Sequence, residues 1–372
     1  QVHIGTCEDP RDFNGGWATG KVLAWENGLV TEYSGSELGA LQSSERASAT
    51  EQATVSSPKE RQYLPMTFAL QGGAEITVEG VDVSVCDHPS CGGSCGASSD
   101  GCQKVFVLTI ATGGSPAGPA SIVFTADGGS TWASSSVDSM DSADVPDAVA
   151  CVGTNLVVVS EDSASLHYAS IADIIAGTEV WTEVTEGFTN GPRDIFSLGS
   201  SLTWIVGVSG YVYFAEDVTS EVVIQDAGNA TVQNLNAIHG IDGENLVAVG
   251  ASNAVIYTTN GGSSWNSVTG PAPGIVLNAV VMKSATEWAV GTADGKLYYT
   301  TDQGLNWSEK AFPGSGTAGS FVSDIVFSTP TVGYMVHNLT GAAVGRVLRT
   351  INGGFSWYLA PEGTASLPVT DK

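Results

Sequence analysis

Four stretches of the chain are near copies of one another: Thr125-Ala-Asp-Gly-Gly-Ser-Thr-Trp132, Thr258-Thr-Asn-Gly-Gly-Ser-Ser-Trp265, Thr300-Thr-Asp-Gln-Gly-Leu-Asn-Trp307 and Thr350-Ile-Asn-Gly-Gly-Phe-Ser-Trp357. Each reads as a β-hairpin. An Asp or Asn (Asp127, Asn260, Asp302, Asn352) can bond its own backbone, and a glycine (Gly129, Gly262, Gly304, Gly354) supplies positive φ. A Trp on the returning strand (Trp132, Trp265, Trp307, Trp357) then packs the turn down. An internal repeat of this kind fixes the architecture before any single residue is interpreted.

The neighbourhood of each copy repeats as well. A short strand with an aromatic near its end precedes the box: Ile122-Val-Phe124, Val255-Ile-Tyr257 and Leu297-Tyr-Tyr299. Before it comes an apolar run such as Leu246-Val-Ala-Val-Gly250 or Glu287-Trp-Ala-Val-Gly291. Earlier still, a strand opens on Asp or Asn: Asp147, Asp194, Asn236, Asn278 and Asp324, spaced by 47, 42, 42 and 46 residues. Two units keep this order without the box, Leu166-His-Tyr168 followed by Trp181 and Val212-Tyr-Phe214 followed by Val222-Val-Ile224. Four strands in about 42 to 50 residues is the period of a β-propeller blade, in which each small sheet buries both faces against its neighbours. The spacing predicts an all-β fold, a β-propeller of six four-stranded blades between about Lys104 and Pro361, or seven depending on how the ends are tied.

These boxes resemble the Asp-box, or sialidase-type, repeat, and the region is similar to the propellers of the photosystem II stability and assembly factor family. The resemblance covers about two thirds of the chain and implies a propeller with the boxes on outer blade hairpins. It leaves the activity open, because such boxes occur in enzymes, receptors, assembly factors and virus proteins alike. The assembly-factor family also implies a basic docking patch, for which this chain has too few arginines. A sialidase implies an arginine cluster gripping a carboxylate, with acid and nucleophile groups beside it. The propeller region has only Arg193, Arg346 and Arg349, the last two three apart on one strand and so on opposite faces. The arginine-bearing motif that sialidases carry ahead of their first box is absent.

At 372 residues the chain can hold one large core plus a smaller domain. Charged residues make up 14%, yet 39 are acidic and 13 basic, a net charge of −26. Such a surface repels itself and disfavours nucleic acid or an anionic membrane as a tight partner. No apolar run reaches the length of a membrane span, and no basic-then-apolar signal segment opens the sequence. The first residue is Gln1, which suits a processed or truncated product. Fifteen residues follow Trp357, stopping where a further inner strand falls due, while the unit beginning at Lys104 lacks an obvious inner strand. Because an unpaired sheet edge is an aggregation liability, residues after Ala360, or residues beyond this sequence, are expected to complete the first blade.

Residues 1–85 have a different grammar. Stretches at Val2-His-Ile4, Lys21-Val-Leu-Ala-Trp25, Leu29 to Tyr33, Tyr63 to Leu70 and Ile76 to Val85 predict strands, with the polar Ser43 to Lys59 as a long loop or arm. The expected plan is a small β-sandwich-like assembly or attachment domain over 1–85, a Cys/Gly-rich linker over 86–103 and the propeller over 104–372. The first part resembles the tail-tube-type β-sandwich proteins of tailed phages in its strand lengths, its arm and the sequence Ser36-Glu-Leu-Gly-Ala-Leu41; any β-sandwich attachment domain is the alternative. In the linker, Cys86, Cys91, Cys95 and Cys102 stand among glycines that let a backbone fold tightly. They can wrap a structural zinc ion or form two local disulfides, and either would brace the segment. Cys7 is left unpaired, and Cys151, in an inner strand, is expected to be a buried thiol.

Catalytic constellations are missing. There is no His-Glu-x-x-His, phosphate-binding glycine loop or Gly-x-Ser-x-Gly elbow, and His167, His239 and His337 fall in different strand types of different blades. The run Asp138, Asp141, Asp144, Asp147 offers loop carboxylates to calcium, with a solvated acidic turn as the plainer reading. The inner-strand series Asp147, Asp194, Asn236, Asn278 and Asp324 can form a ring at the channel mouth suited to a cation or a partner's amides; equally, each can cap a turn. The expected function is that of a non-enzymatic structural protein of a virion, a phage tail or other particle. It would self-assemble through residues 1–85 and display the propeller for protein or receptor contact. The alternative is a secreted or periplasmic propeller that binds a glycan or protein through its loops. Both place the chain in a virion or outside the cell, with no cofactor beyond zinc at the cysteines.

Overall fold

The computed structural model describes residues 104–111, 120–126, 131–141, 144–198, 202–220, 222–327, 329–339 and 344–359, together with five strands between residues 6 and 86. Six antiparallel sheets follow one another along the chain. The first contains β4 (Leu64–Ala69), β5 (Glu75–Cys86), β6 (Lys104–Ala111), β7 (Ser121–Thr125) and β8 (Ala133–Ser136). The second contains β9 (Ala148–Val152), β10 (Asn155–Ser160), β11 (Ser165–Ser170) and β12 (Thr182–Val184); the third β13 (Pro192–Ser197), β14 (Thr203–Gly207), β15 (Tyr211–Ala215) and β16 (Val223–Ala227). The fourth is built from β17 (Leu235–Gly240), β18 (Leu246–Gly250), β19 (Ala254–Thr258) and β20 (Asn266–Thr269). The fifth has β21 (Leu277–Met282), β22 (Trp288–Thr292), β23 (Leu297–Thr300) and β24 (Ser308–Lys310), and the sixth β25 (Ser320–Phe327), β26 (Gly333–Leu339), β27 (Val344–Thr350) and β28 (Tyr358–Leu359). A separate three-stranded sheet joins β1 (Thr6–Cys7), β2 (Lys21–Glu26) and β3 (Leu29–Tyr33). The inner strands pack in succession, β5 on β9, β9 on β13, β13 on β17, β17 on β21 and β21 on β25, which makes the molecule a β-propeller of six blades.

The strand period of two sorts side chains between successive inter-blade cores. On β18, Leu246 and Ala248 join Trp204, Val206 and Ile238 on one side. Val247 and Val249 turn the other way, to Leu277, Trp288 and Val290. Leu156 and Val158 of β10 divide from Val157 and Val159 in the same manner. Second strands such as β14, β18 and β22 are therefore buried at every position, which is why they read as unbroken apolar runs. The outermost strands β12 and β24 show mostly exposed residues, Thr182-Glu-Val184 and Ser308-Glu-Lys310.

Four expectations change. The first blade is completed from upstream: β5 pairs with β6 from Val78↔Ala111 to Cys86↔Lys104, so no strand after Ala360 is needed as its inner strand. The stretch Ile76 to Val85, read as part of a sandwich, alternates apolar residues because it is a blade strand, and β4 pairs with its first half from Leu64↔Gly80 to Ala69↔Glu75. In the second blade the missing box is replaced by a short helix, α1 (Ile171–Ala176). Ser170 caps it by accepting from the Asp173 N–H, and Gly177 ends it at φ 68°. Cys151 is disulfide-bonded and not a free thiol. Cys91, Cys95 and Cys102 lie outside the described residues, as do Asp127 and Gly129.

Candidate protein interface

In the three fully described repeat turns the opening threonine is the hub. Thr258 Oγ1 donates to Asn260 Oδ1 at 2.8 Å and accepts from the Gly262 N–H at 3.0 Å; Thr300 does the same with Asp302 and Gly304, and Thr350 with Asn352 and Gly354. The Asp or Asn then accepts from the N–H four residues on: Ser264, Asn306 and Ser356, at 3.0, 2.8 and 3.0 Å. Hydrogen bonds from Asn306 and Thr300 hold the Asp302 carboxyl below the usual range. Two successive residues take positive φ, Gly261 and Gly262, Gln303 and Gly304, Gly353 and Gly354. The second of each pair lies against the preceding blade: Gly262 on Gln225, Gly304 on Val268, Gly354 on the Tyr299 hydroxyl. A side chain there would collide, so glycine is set by close packing as well as by φ. Trp132, Trp265 and Trp357 are buried, while half-buried Trp307 donates to the Thr269 carbonyl at 3.0 Å. These turns are fasteners between blades.

What the turns present outward differs by blade. The sixth box position is Ser263 in the fourth blade, Leu305 in the fifth and Phe355 in the sixth. Leu305 is 76% exposed and Phe355 79%, with Ile351 beside it at 51%. Lys310 lies 5.9 Å from the Tyr299 ring centre and 5.5 Å from that of Phe355, and it has no carboxylate partner among the described residues. Lys283 supports the same hairpin from below, donating to the Gly353 carbonyl at 2.9 Å and lying 4.7 Å over the Phe327 ring. Charge divides along the same line. Residues 104–276 hold eighteen Asp and Glu against Lys104 and Arg193 alone, whereas residues 277–359 hold five acidic and five basic residues.

The Asp/Asn series does not occupy one equivalent position in its strands. The inner strands β13, β17, β21 and β25 each carry a bulge, after Pro192, Leu235, Leu277 and Val322, so the extra residues are Arg193, Asn236, Asn278 and Ser323. Asn236 and Asn278 sit on the bulge, while Asp194 and Asp324 lie one residue beyond it. Their side chains are used between and within blades. Asn236 Nδ2 donates to the Leu277 carbonyl at 3.1 Å and Asn278 Nδ2 to that of Val322 at 3.3 Å; Asp194 accepts from the Ile238 N–H at 2.8 Å. Buried Asp147 accepts from the Glu161 N–H, and buried Asp324 from the Ile325 N–H. Arg193, absent from the predicted series, links three blades: it bonds Glu161 through two nitrogens at 2.8 and 3.1 Å and Asn236 Oδ1 at 2.8 Å. Its position one residue before Asp194, on the bulge, was the signal that spacing alone concealed.

Groups suited to catalysis are dispersed. His167 is buried between Ser139 Oγ (2.8 Å) and Ser165 Oγ (2.9 Å), and burial pushes its pKa down to about 4. His239 accepts from the Met282 N–H at 3.3 Å, and His337 packs edge-on to Phe312. Arg349 is buried with Tyr334 opposite it across the sheet, whereas Arg346 pairs with His337, so the two arginines serve different surroundings. Among the acidic run, Asp144 has its pKa raised by burial. No group of three His, Cys, Asp or Glu side chains is placed to hold a metal among the described residues. No helix among them is long and apolar enough to cross a membrane.

Among solved structures the chain is similar to YCF48 bound to a D1 peptide, with a TM-score of 0.55 and 15% identity over 87% of this chain and 90% of that one. It is also similar to the GH74 xyloglucanase from Xanthomonas campestris, with a TM-score of 0.50 and 14% identity over 76% of this chain and 47% of the enzyme, about half its length. No family model matches the sequence. No curated protein matches it either. The likeness to the photosystem II assembly-factor propellers thus holds for the fold, which is what identities this low establish.

Proposed function

We propose that the chain is a non-enzymatic binding protein whose propeller docks a protein partner on the hairpin tips of its fifth and sixth blades. The observation that carries this is the exposure of Leu305, Phe355 and Ile351 in the one charge-balanced sector of an acidic molecule. Aromatic and aliphatic side chains held out on rigid turns are the usual anchors of a protein contact. The acidic blades repel most acidic partners and leave this sector as the approach. YCF48 was solved with a peptide bound, which supports a protein ligand for a similar propeller. The dispersal of the histidines and the engagement of Arg193 with Glu161 support the non-enzymatic reading. The disulfide at Cys151 favours an oxidising compartment, in keeping with a location outside the cytosol. A virion role through residues 1–85 is narrower than the sequence suggested, because β4 and β5 belong to the first blade.

The test places a photo-crosslinking side chain at position 355 and, in a second protein, at position 263, the matching tip of the fourth blade. The expected result in native extract is one specific adduct from position 355 and none from 263, with Phe355→Ala plus Leu305→Ala weakening the purified pair by about tenfold or more. Equal labelling from both tips, or an affinity indifferent to the double substitution, rejects the surface. Rings or tubes in electron micrographs that vanish without residues 1–63 would restore the assembly reading.

A further inference from the structure

Arg346 and His337 face each other across β27 and β26 at the end of the sixth blade opposite its hairpin tip. His337 is fully buried, and neither ring nitrogen has a hydrogen-bond partner among the described residues. Phe312 packs edge-on against the ring with centres 5.0 Å apart, and Gly295 of the fifth blade lies close to its Nε2. Arg346 is half-buried and has neither a carboxylate nor any other hydrogen-bond acceptor among the described residues. Both side chains converge on Gly314. A Cβ there would stand 3.2 Å from Arg346 Nη1 and 3.3 and 3.6 Å from His337 Cε1 and Nδ1, and the glycine sits at φ 91°.

This arrangement is expensive unless something completes it. A guanidinium drawn partly out of water needs an anion, and a buried imidazole without hydrogen bonds forfeits its desolvation cost with no return. The chain has 39 carboxylate side chains for 13 Lys and Arg, yet none among the described residues is set against Arg346, while Arg193, Lys283 and Lys296 each have one. We propose that Arg346, with His337 beneath it and the side-chain-free Gly314 packed close against both, is a carboxylate-binding site at the junction of the fifth and sixth blades. The planar guanidinium takes the two oxygens side by side, and the neutral imidazole supplies an N–H from below. Burial and the Arg346 charge hold the pKa of His337 down to about 4, so the ring is neutral at pH 7 and the site carries a single positive charge. The site does not rest on the docking surface proposed above, since Arg346 lies near the start of β27 and Thr350, at its other end, enters the hairpin.

The full chain, labelled with nitrogen-15, is titrated at pH 7 with sodium acetate and, at matched ionic strength, with sodium chloride. The expected result is saturable movement of the His337 ring and Arg346 side-chain signals with acetate alone, weakened at least tenfold by Arg346→Gln and partly retained by Arg346→Lys. Unchanged His239 ring signals show that each variant is folded; if Arg346→Gln fails that check, Arg346→Lys carries the comparison. Two peptides then distinguish the source of the carboxylate: one with Asp and an amidated C-terminus, one with a free C-terminus and no acidic side chain. Movement that is linear in concentration, equal for chloride, or indifferent to Arg346 overturns the site.

Discussion

The first four blades and the last two are built by the same rules and finished with different surfaces. In both, alternate strand residues feed two inter-blade cores, and in both a threonine ties an Asp or Asn to a glycine N–H. Yet residues 104–276 carry sixteen more acidic than basic residues and residues 277–359 are balanced, and of the three fully described repeat turns those of the fifth and sixth blades hold out large apolar groups while that of the fourth does not. The box positions that satisfy the backbone are fixed by hydrogen bonding and close approach, whereas the sixth position points to solvent and is free to vary. In this repeat, fold and recognition occupy different positions of the same eight residues.

That separation is broken most directly in the core. Trp204 and Trp288 occupy the second strands of the third and fifth blades, both buried. Trp204→Ala and Trp288→Ala should each lower the free energy of unfolding by about 3–5 kcal/mol, equally in low and high salt. Urea titration measures both; a difference between the two sectors comparable to the effect itself would mean that their cores are not equivalent.

His167 supplies the next effect. An imidazole kept neutral in the folded chain but free to protonate when unfolded penalises the native state as pH falls from about 6.5 to about 4, and the penalty stays constant below that. The full difference is about 3 kcal/mol. Neutralising the acidic surface works in the opposite direction over the same range, so the comparison is between wild type and His167→Asn. The variant should be less sensitive to acid by up to one proton in the slope of stability against pH, as read by denaturant titrations at pH 7, 5.5 and 4. Identical slopes would show that the serine cage admits the protonated ring.

Thr300→Val and Thr258→Val come third. Each leaves a buried glycine N–H without its acceptor, Gly304 or Gly262, at a cost of about 1–3 kcal/mol. Equal losses in the fourth and fifth blades would sharpen the view that the turn is indifferent to the charge around it. A loss confined to one would tie the turn to its sector.

The hairpins were legible in the sequence because every partner lies within four residues of the threonine. The blade count followed from the period. The inner strand of the first blade was not, since Cys86 and Lys104 pair across a Cys/Gly-rich stretch with the composition of a domain boundary. The channel-mouth series is uneven for a subtler reason: a bulge inserts one residue without altering the apparent period, so Asp194 and Asn236 looked equivalent while occupying different places on it. Helix α1 was within reach, its Ser170 cap and Gly177 stop being ordinary end signals, though it is only six residues long and stands where the repeat predicts a hairpin. Arg193 and Arg346 depend on neighbours more than thirty residues away or in another strand, which no local pattern announces.

The smallest effect tests the charge division itself. Raising salt from 0.1 to 1 M shortens the screening length from about 10 to about 3 Å, which relieves repulsion among the acidic residues of the first four blades and has little to relieve in the last two. Amide exchange should therefore slow in β11 and β16 by a few tenths of a kcal/mol in local opening energy and remain level in β23 and β27. The exposed Lys296–Glu309 pair, 3.3 Å apart, is the internal control: its small contribution should fade as salt rises. Uniform slowing across all six blades would point to salt acting on apolar burial everywhere, and the acidic sector would then be no more strained by its charge than the balanced one.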